Sequence, residues 1–377
     1  MTDQELLDLI RRDELRTIEL IRQLVVLPSP SREKAQVDLL GSQVGDWLGK
    51  QGLAPHHERR TSVGDIVWGE WPGLEGQILV LCHLDTVWSA SAVQSNPFRI
   101  EGDRMYGPGV FDMKGAVAAT LKIQELLRQG VLRPRRSVRF VYTTDEETGS
   151  FQSRSFIERC ARESDLVLVT EPPLPDGGIK TRRKGSGIYT VETLGRSAHA
   201  GLEPEKGVNA IVEMASQIAR LGRLADPENG STITPTLIEG GTSMNVVPER
   251  ATATLDVRFW TEDEGRRMDR ELRSLAPIAS EARVVVSGEI DRPPMIPSQK
   301  TEDLAARARD IATGLGIQLC AGQAGGGSDG YFTAAQGVPT LDGLGLEGGG
   351  AHSRDEYVRI SSITPRIALL ARLVELL

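Results

Sequence analysis

Three short apolar runs rich in branched side chains stand out along the chain: Ile78–Cys82, Val138–Tyr142 and Leu166–Val169. Their length and composition predict buried strands. A polar group follows each run at its carboxyl end: His83-Leu84-Asp85, Asp145-Glu146-Glu147 and Glu171. In open α/β sheets, sites form in the crevice beyond the carboxyl ends of the strands. Three strands therefore deliver acids and an imidazole to one edge. Between the first two runs, Ala116, Ala119, Ile123 and Leu126 recur at helical spacing, and Gly130 is placed to end that helix.

Elsewhere the pattern is less regular. Residues 1–26 predict one amphipathic helix, and Ser29-Pro30 reads as the N-cap and first position of a second, running to about Gly52. Glycines and prolines from Gly64 to Gly76 predict hairpin turns. The rhythm changes near Gly185. Ile188–Leu194, Thr232–Ile238, Ala251–Trp260 and Arg283–Ser287 predict strands; Val208, Ile211, Ala215 and Ile218 mark one helix and Glu262–Leu275 another. The order β-α-β-β-α-β is that of a ferredoxin-like unit. Helix Glu302–Gly314, short strands and a terminal helix Thr364–Leu377 follow. The expected fold class is α/β. A catalytic domain over 1–184 and 295–377, with a mixed sheet flanked by helices, is interrupted by a ferredoxin-like α+β domain over 185–294.

Composition narrows the function. The chain has 377 residues, enough for two domains. A net charge of −8 argues against nucleic acid and anionic membranes as partners. No apolar run is long enough to span a bilayer. The charged N-terminus lacks a signal-peptide core, and Cys82, Cys160 and Cys320 make no disulfide framework. A cytoplasmic location is expected, although a processed secreted form would read the same.

His83, Asp85, Asp112, Glu146, Glu147, Glu171 and the late His352 form the ligand inventory of a two-metal hydrolytic site. Of His83 and Asp85, two apart, one can bind metal while the other orients it. Asp112, after the turn Gly107-Pro108-Gly109, can bridge two ions roughly 3.5–4 Å apart. Glu146 and Glu147 are adjacent and point differently, so one can bind metal and the other serve as base. Each motif alone is as well explained by a core histidine or a solvated turn; their joint placement at strand ends is not.

These residues carry a resemblance. His83-Leu-Asp-Thr-Val, Gly107 to Gly115, Asp145-Glu-Glu-Thr-Gly-Ser150, Thr170-Glu-Pro172, Ser197-Ala-His-Ala-Gly201, Gly326-Gly-Ser-Asp329 and Gly350-Ala-His-Ser353 stand in the order of the M20 metallopeptidases. The chain most resembles their glutamate carboxypeptidase branch. The resemblance implies a zinc-peptidase catalytic domain and an inserted dimerisation or lid domain. It implies two zinc ions per chain bridged by Asp112, one also held by His83 and Glu171, the other by Glu147 and His352. Glu146 would be the general base and Asp85 would orient His83. His199 would reach the partner's site in a homodimer and stabilise the oxyanion. Lys180, Asn245, Arg258, Arg292 and Gly326 would bind substrate; Arg182 stands where that branch carries a small hydroxyl residue.

The expected function is hydrolysis of an amide bond that releases a C-terminal amino acid, glutamate or aspartate, from a small peptide or N-acyl amino acid. The alternative is an N-acyl-amino-acid deacylase of the acetylornithine deacetylase or succinyl-diaminopimelate desuccinylase type, and a non-catalytic binding module is a third. Manganese or cobalt could replace zinc, which is favoured on affinity. A distant alternative is a serine esterase, because Gly326-Gly-Ser328-Asp-Gly330 fits G-x-S-x-G and is followed by Asp342 and His352. Gly343-Leu-Gly-Leu-Glu-Gly348 fits a dinucleotide fingerprint but reads better as a flexible active-site loop. His56-His57 reads as a surface loop and Cys82 as buried and inert.

Overall fold

The computed structural model describes residues 1–377. Two compact units emerge: residues 1–182, 297–324 and 328–377 in one, and 183–296 with 325–327 in the other. Boundaries drawn from sequence at 185 and 294 left 325–327 with the first unit. They group with the second, where the buried Arg183 guanidinium donates to the carbonyls of Gly326 and Gly327 at 2.9 and 2.6 Å.

The first unit is built on a mixed six-stranded sheet. Its order is His56–Glu58, Ile66–Trp71, Ser137–Thr143, Gln77–His83, Leu166–Val169, Thr340–Leu341. The last four strands are mutually parallel, and Ile66–Trp71 runs antiparallel to both of its neighbours. Ile78, Val80 and Cys82 pack with Val37, Leu40, Val117, Leu121 and Ile367 from three helices, Lys34–Lys50, Gly115–Arg128 and Ile363–Leu376. Leu79 and Leu81 pack on the other face with Phe156 and Ile157 of helix Arg154–Arg162. Burial on both faces is why these strands read as unbroken apolar runs. His83 pairs in register with Thr143, so two strands end level and open their polar turns on one edge.

Several local expectations are corrected. The N-terminal segment is two helices, Asp3–Arg12 and Glu14–Val25, broken at Asp13, whose side chain is drawn to Lys122. Ser29-Pro30 does not start a helix. Pro30 bridges Thr86, Ser31 Oγ donates to the Thr86 carbonyl, and the helix begins at Lys34. The segment braces the loop after Asp85 instead. His56-His57 opens a strand, with His56 stacked on Trp68 at 4.1 Å between centroids.

In the second unit four strands form an antiparallel sheet in the order Thr232–Gly240, Arg250–Phe259, Gly185–Leu194, Arg283–Arg292. With helices Ala210–Leu221 and Glu262–Arg273 this is the ferredoxin-like arrangement. The first helix buries Ala210, Glu213, Met214 and Gln217; of the four residues that marked it in sequence, Val208 and Ile218 pack inward while Ile211 and Ala215 are exposed. Glu213 can be buried because the amides of Ile278 and Ala279, each at 2.9 Å, and Gln217 Nε2 satisfy its carboxylate.

Candidate active site

Beyond the strand ends, two imidazoles converge on shared carboxylates. His83 Nε2 lies 3.2 Å from Asp112 Oδ1 and 3.6 Å from Glu171 Oε1. His352 Nε2 lies 3.4 Å from Asp112 Oδ2 and 3.2 Å from Glu147 Oε2. Asp112 thus faces one ring with each oxygen. Ligand atoms of His83, Asp112 and Glu147 fall within 4.8 Å of one another, as do those of His83, Glu146 and Glu171. The seven residues singled out around this edge of the sheet come together, including His352, distant from the others in sequence.

The backbone explains how. His83 is the last residue of its strand, so Asp85 lies in the following loop rather than on a shared strand face. Its carbonyl oxygen sits 2.9 Å from His83 Nδ1, nearer than its carboxylate at 3.6 Å. That carboxylate instead accepts from the amides of Glu146 and Glu147, both at 3.2 Å. Asp85 therefore orients the ring with its backbone and the two glutamates with its side chain. Asp112 follows Gly109, whose φ of +70° suits glycine, and the Asp112–Met113 peptide is cis. Glu146 and Glu147 open a short turn that leaves through Gly149 and Ser150, both at positive φ.

Three further buried carboxylates support the site. Glu356 accepts from the amides of Gly109, Phe111 and Asp112 and from Trp88. Asp329 accepts from Thr143 and Ser150, and Asp145 from Ser153 and the Gln152 amide. Sequence reasoning missed Glu356 and gave Asp329 no role. Their partners are largely backbone groups or hydroxyls remote in the chain, so no spacing rule marks them.

The electrostatics are those of crowded acids around two rings. Burial raises the Glu147 carboxyl to about 7, with the Asp112 charge adding to the rise. Hydrogen bonds to Asp112 and Glu147 raise His352 to about 10. Burial opposes the His83 charge, yet Asp112, Glu171 and Asp85 hold its pKa well above the usual imidazole value. Burial likewise opposes the Asp112 charge, and both rings hold it below the carboxylate range. One oxygen of Glu147, Oε1, is buried without a hydrogen-bond partner. An orphaned carboxylate oxygen beside two imidazoles and further carboxylates fits hard or borderline divalent cations.

In the second unit, His199 is exposed, and its Nδ1 accepts from the amides of Gly201 and Leu202 at 3.1 and 3.0 Å. A neutral ring held this way carries its proton on Nε2 and presents a donor. Asn245 is exposed and its carbonyl accepts from Ala200. Arg292 is buried at the end of its strand. Arg258 pairs bidentately with Asp256 at 2.9 and 2.8 Å, so its fork already holds a carboxylate. Lys180, in the first unit, lies in strand Ile179–Arg183, its backbone paired with Asp342.

The serine esterase alternative is excluded. Ser328 is fully buried and donates directly to Asp342 at 2.6 Å, while His352 faces Asp112 and Glu147. No imidazole stands between serine and acid, as a triad requires. The Gly343–Gly348 loop is clamped rather than loose: buried Arg366 donates to the carbonyls of Gly343, Gly345 and Gly177. Cys82 is buried, and burial raises its thiol to about 11.

This fold and this donor set define a metal-dependent hydrolase. The chain belongs to peptidase family M20/M25/M40, which matches residues 79–376. It is 33% identical over 324 residues to carboxypeptidase G2 of Pseudomonas sp. (strain RS-16), covering 83% of this chain and 77% of that protein. It is 30% identical to the succinyl-diaminopimelate desuccinylase of Dinoroseobacter shibae, covering 95% and 97%. Among solved structures it resembles the Bacillus subtilis YXEP protein, a dinuclear metal binding peptidase of the M20 family. There the TM-score is 0.68 and the identity 16%, over 97% and 98% of the two chains. No helix is long and apolar enough to cross a membrane.

Proposed function

We propose that the protein is a two-metal amidohydrolase that releases a C-terminal amino acid, glutamate or aspartate, from small peptides or N-acyl amino acids. The observation that carries this reading is Asp112 shared between the rings of His83 and His352, with Glu146 and Glu147 beside them. His83, Glu171 and Asp112 would hold one ion; Glu147, His352 and Asp112 the other. The donors suit zinc, with manganese or cobalt as substitutes. Bound there, the ions would polarise the scissile carbonyl and acidify the attacking water. Glu146, its amide pinned by Asp85, takes the water proton and returns it to the leaving amine. His199 offers Nε2–H to the tetrahedral oxyanion.

The 33% identity to carboxypeptidase G2 supports the carboxypeptidase reading. On the resemblance to the carboxypeptidase branch, Arg292 is assigned to the substrate carboxylate, since a guanidinium fork matches it bidentately. Arg258 has a smaller part, because Asp256 occupies its fork. Losing such a charge-assisted bond costs about 1.5–3 kcal/mol, roughly 10- to 150-fold in kcat/KM. Rates on N-acyl-glutamate, its carboxamide, N-acyl-leucine, N-acetylornithine and N-succinyl-diaminopimelate test this. Equal rates on the acid and the carboxamide defeat the carboxypeptidase reading. A clear preference for acetylornithine or the succinyl substrate installs the second reading, a deacylase, which the desuccinylase match over nearly the whole chain favours.

A homodimer completed by His199 from the partner belongs to the same proposal. In the second unit the edge strand Thr232–Gly240 and the adjacent helix leave Leu237, Ile238 and Val212 exposed, apolar surface of the kind that interfaces cover. Heterodimers of Glu146→Gln and His199→Ala should regain part of the activity that each homodimer lacks. No recovery in proven heterodimers removes the shared site.

A further inference from the structure

Glu356 is fully buried and four N–H groups surround its carboxylate. Oε1 accepts from the amides of Phe111 and Asp112 at 2.9 and 3.1 Å. Oε2 accepts from the Gly109 amide at 3.0 Å and Trp88 Nε1 at 2.8 Å. Burying a carboxylate is costly unless its lone pairs are met, and N–H bonds to an anion are among the strong ones. The donors have a pattern. Three are amides of the loop that delivers Asp112. The fourth belongs to Trp88, in the loop that follows Asp85. Glu356 itself closes the hairpin loop that carries His352. Its amide donates to Ser353 O at 3.0 Å, and the Ser353 amide to Gly350 O at 2.9 Å. Within that loop His352 sits at φ +64°. One carboxylate thus ties together the three loops that bear Asp85, Asp112 and His352. His83 and Glu171 need no such tie, because each stands at or just beyond a strand of the main sheet.

We propose that Glu356 is a positioning residue, an anionic clamp that fixes Asp112 against His352 without touching ion or substrate. The proposal rests on the two-metal reading above. An amide cannot replace the carboxylate. In Glu356→Gln one oxygen becomes an NH2 group, and the two N–H donors that faced it meet another donor. Glu356→Asp keeps the charge but draws it back by one methylene.

The test compares wild type and both variants as apoproteins. Zinc affinity is measured by competition with a chromophoric chelator, the apoprotein melt by circular dichroism, and kcat and KM at saturating zinc. Supporting residues around metal sites typically cost roughly 10- to 100-fold in affinity or activity when lost. That range is expected for zinc binding by Glu356→Gln, with the loss of activity in kcat rather than KM and a folded apoprotein. Glu356→Asp should fall between Gln and wild type. Wild type that binds no zinc defeats the two-metal reading itself. Wild type that binds zinc while both variants match its affinity and kcat overturns the clamp alone. Global unfolding of both variants at the assay temperature also overturns it, because the carboxylate would then serve the fold rather than the site.

Discussion

The two halves of the site are built differently. His83 ends a central strand with its side chain 2% exposed, and the Asp85 carbonyl fixes its ring. Glu171 follows the neighbouring strand, and the Gly345 amide holds its backbone carbonyl. His352 rides a hairpin loop at positive φ, with its side chain 50% exposed. The first half is set by the sheet, whose packing would have to break to move it. The second half is set by hydrogen bonds at the base of a loop. Pre-organisation is therefore uneven: the sheet sets His83 and Glu171, whereas His352 and the Asp112 that both halves share stand on loops tied by Glu356.

The largest effect that can break this account falls between the halves. Glu146→Gln should lower kcat by roughly 10²–10⁴-fold, the usual worth of a general base, while metal content stays at the wild-type level. Glu147→Gln should lose metal instead. If Glu146→Gln loses metal and Glu147→Gln keeps it, the two adjacent glutamates have exchanged roles, and the second half is built on Glu146.

A smaller effect sharpens the comparison through pH. In the apoprotein, the pKa values of Glu147, about 7, and His352, about 10, both lie above their ordinary values of 4.5 and 6.5. A group whose pKa rises on folding contributes stability below its unfolded pKa and loses it as pH climbs through the folded one. Glu147 loses its share between about pH 4.5 and 7, and His352 between about 6.5 and 10. The apoprotein Tm should therefore fall from pH 6.5 to 10, and fall less in apo His352→Ala. Zinc-loaded protein should lose less over that range, because metal replaces the ring proton. Identical slopes for wild type and His352→Ala apoproteins would remove the charged pair from the second half.

What the sequence made legible follows the same division. The strand-borne residues announce themselves, because apolar runs buried on both faces are conspicuous and the acids after them sit at a fixed place. Helix Gly115–Arg128 and the β-α-β-β-α-β unit were readable for the same reason of periodicity. In the loop-borne half Asp112 and Glu147 were marked by their places after a glycine turn and a strand, but the grouping of His352 with them came from motif resemblance, since nothing local ties His352 to Asp112. Glu356 was invisible because its partners are backbone amides 244 to 247 residues away and one indole. Ser29-Pro30 misled because a sound capping signal was overridden by pairing with Thr86. The buried face of Ala210–Leu221 misled because a satisfied Glu213 replaced an apolar residue.

The central claim is that these two unequal halves each hold an ion. The direct measurement is elemental analysis after dialysis against zinc and then against metal-free buffer, on wild type and on His83→Ala and His352→Ala. The account predicts two ions per chain in wild type. His352→Ala should retain one, held by His83, Glu171 and Asp112, and His83→Ala should retain fewer than His352→Ala. A stable value of one or none in wild type would contradict the two-metal site, and equal retention in the two variants would contradict the difference between its halves.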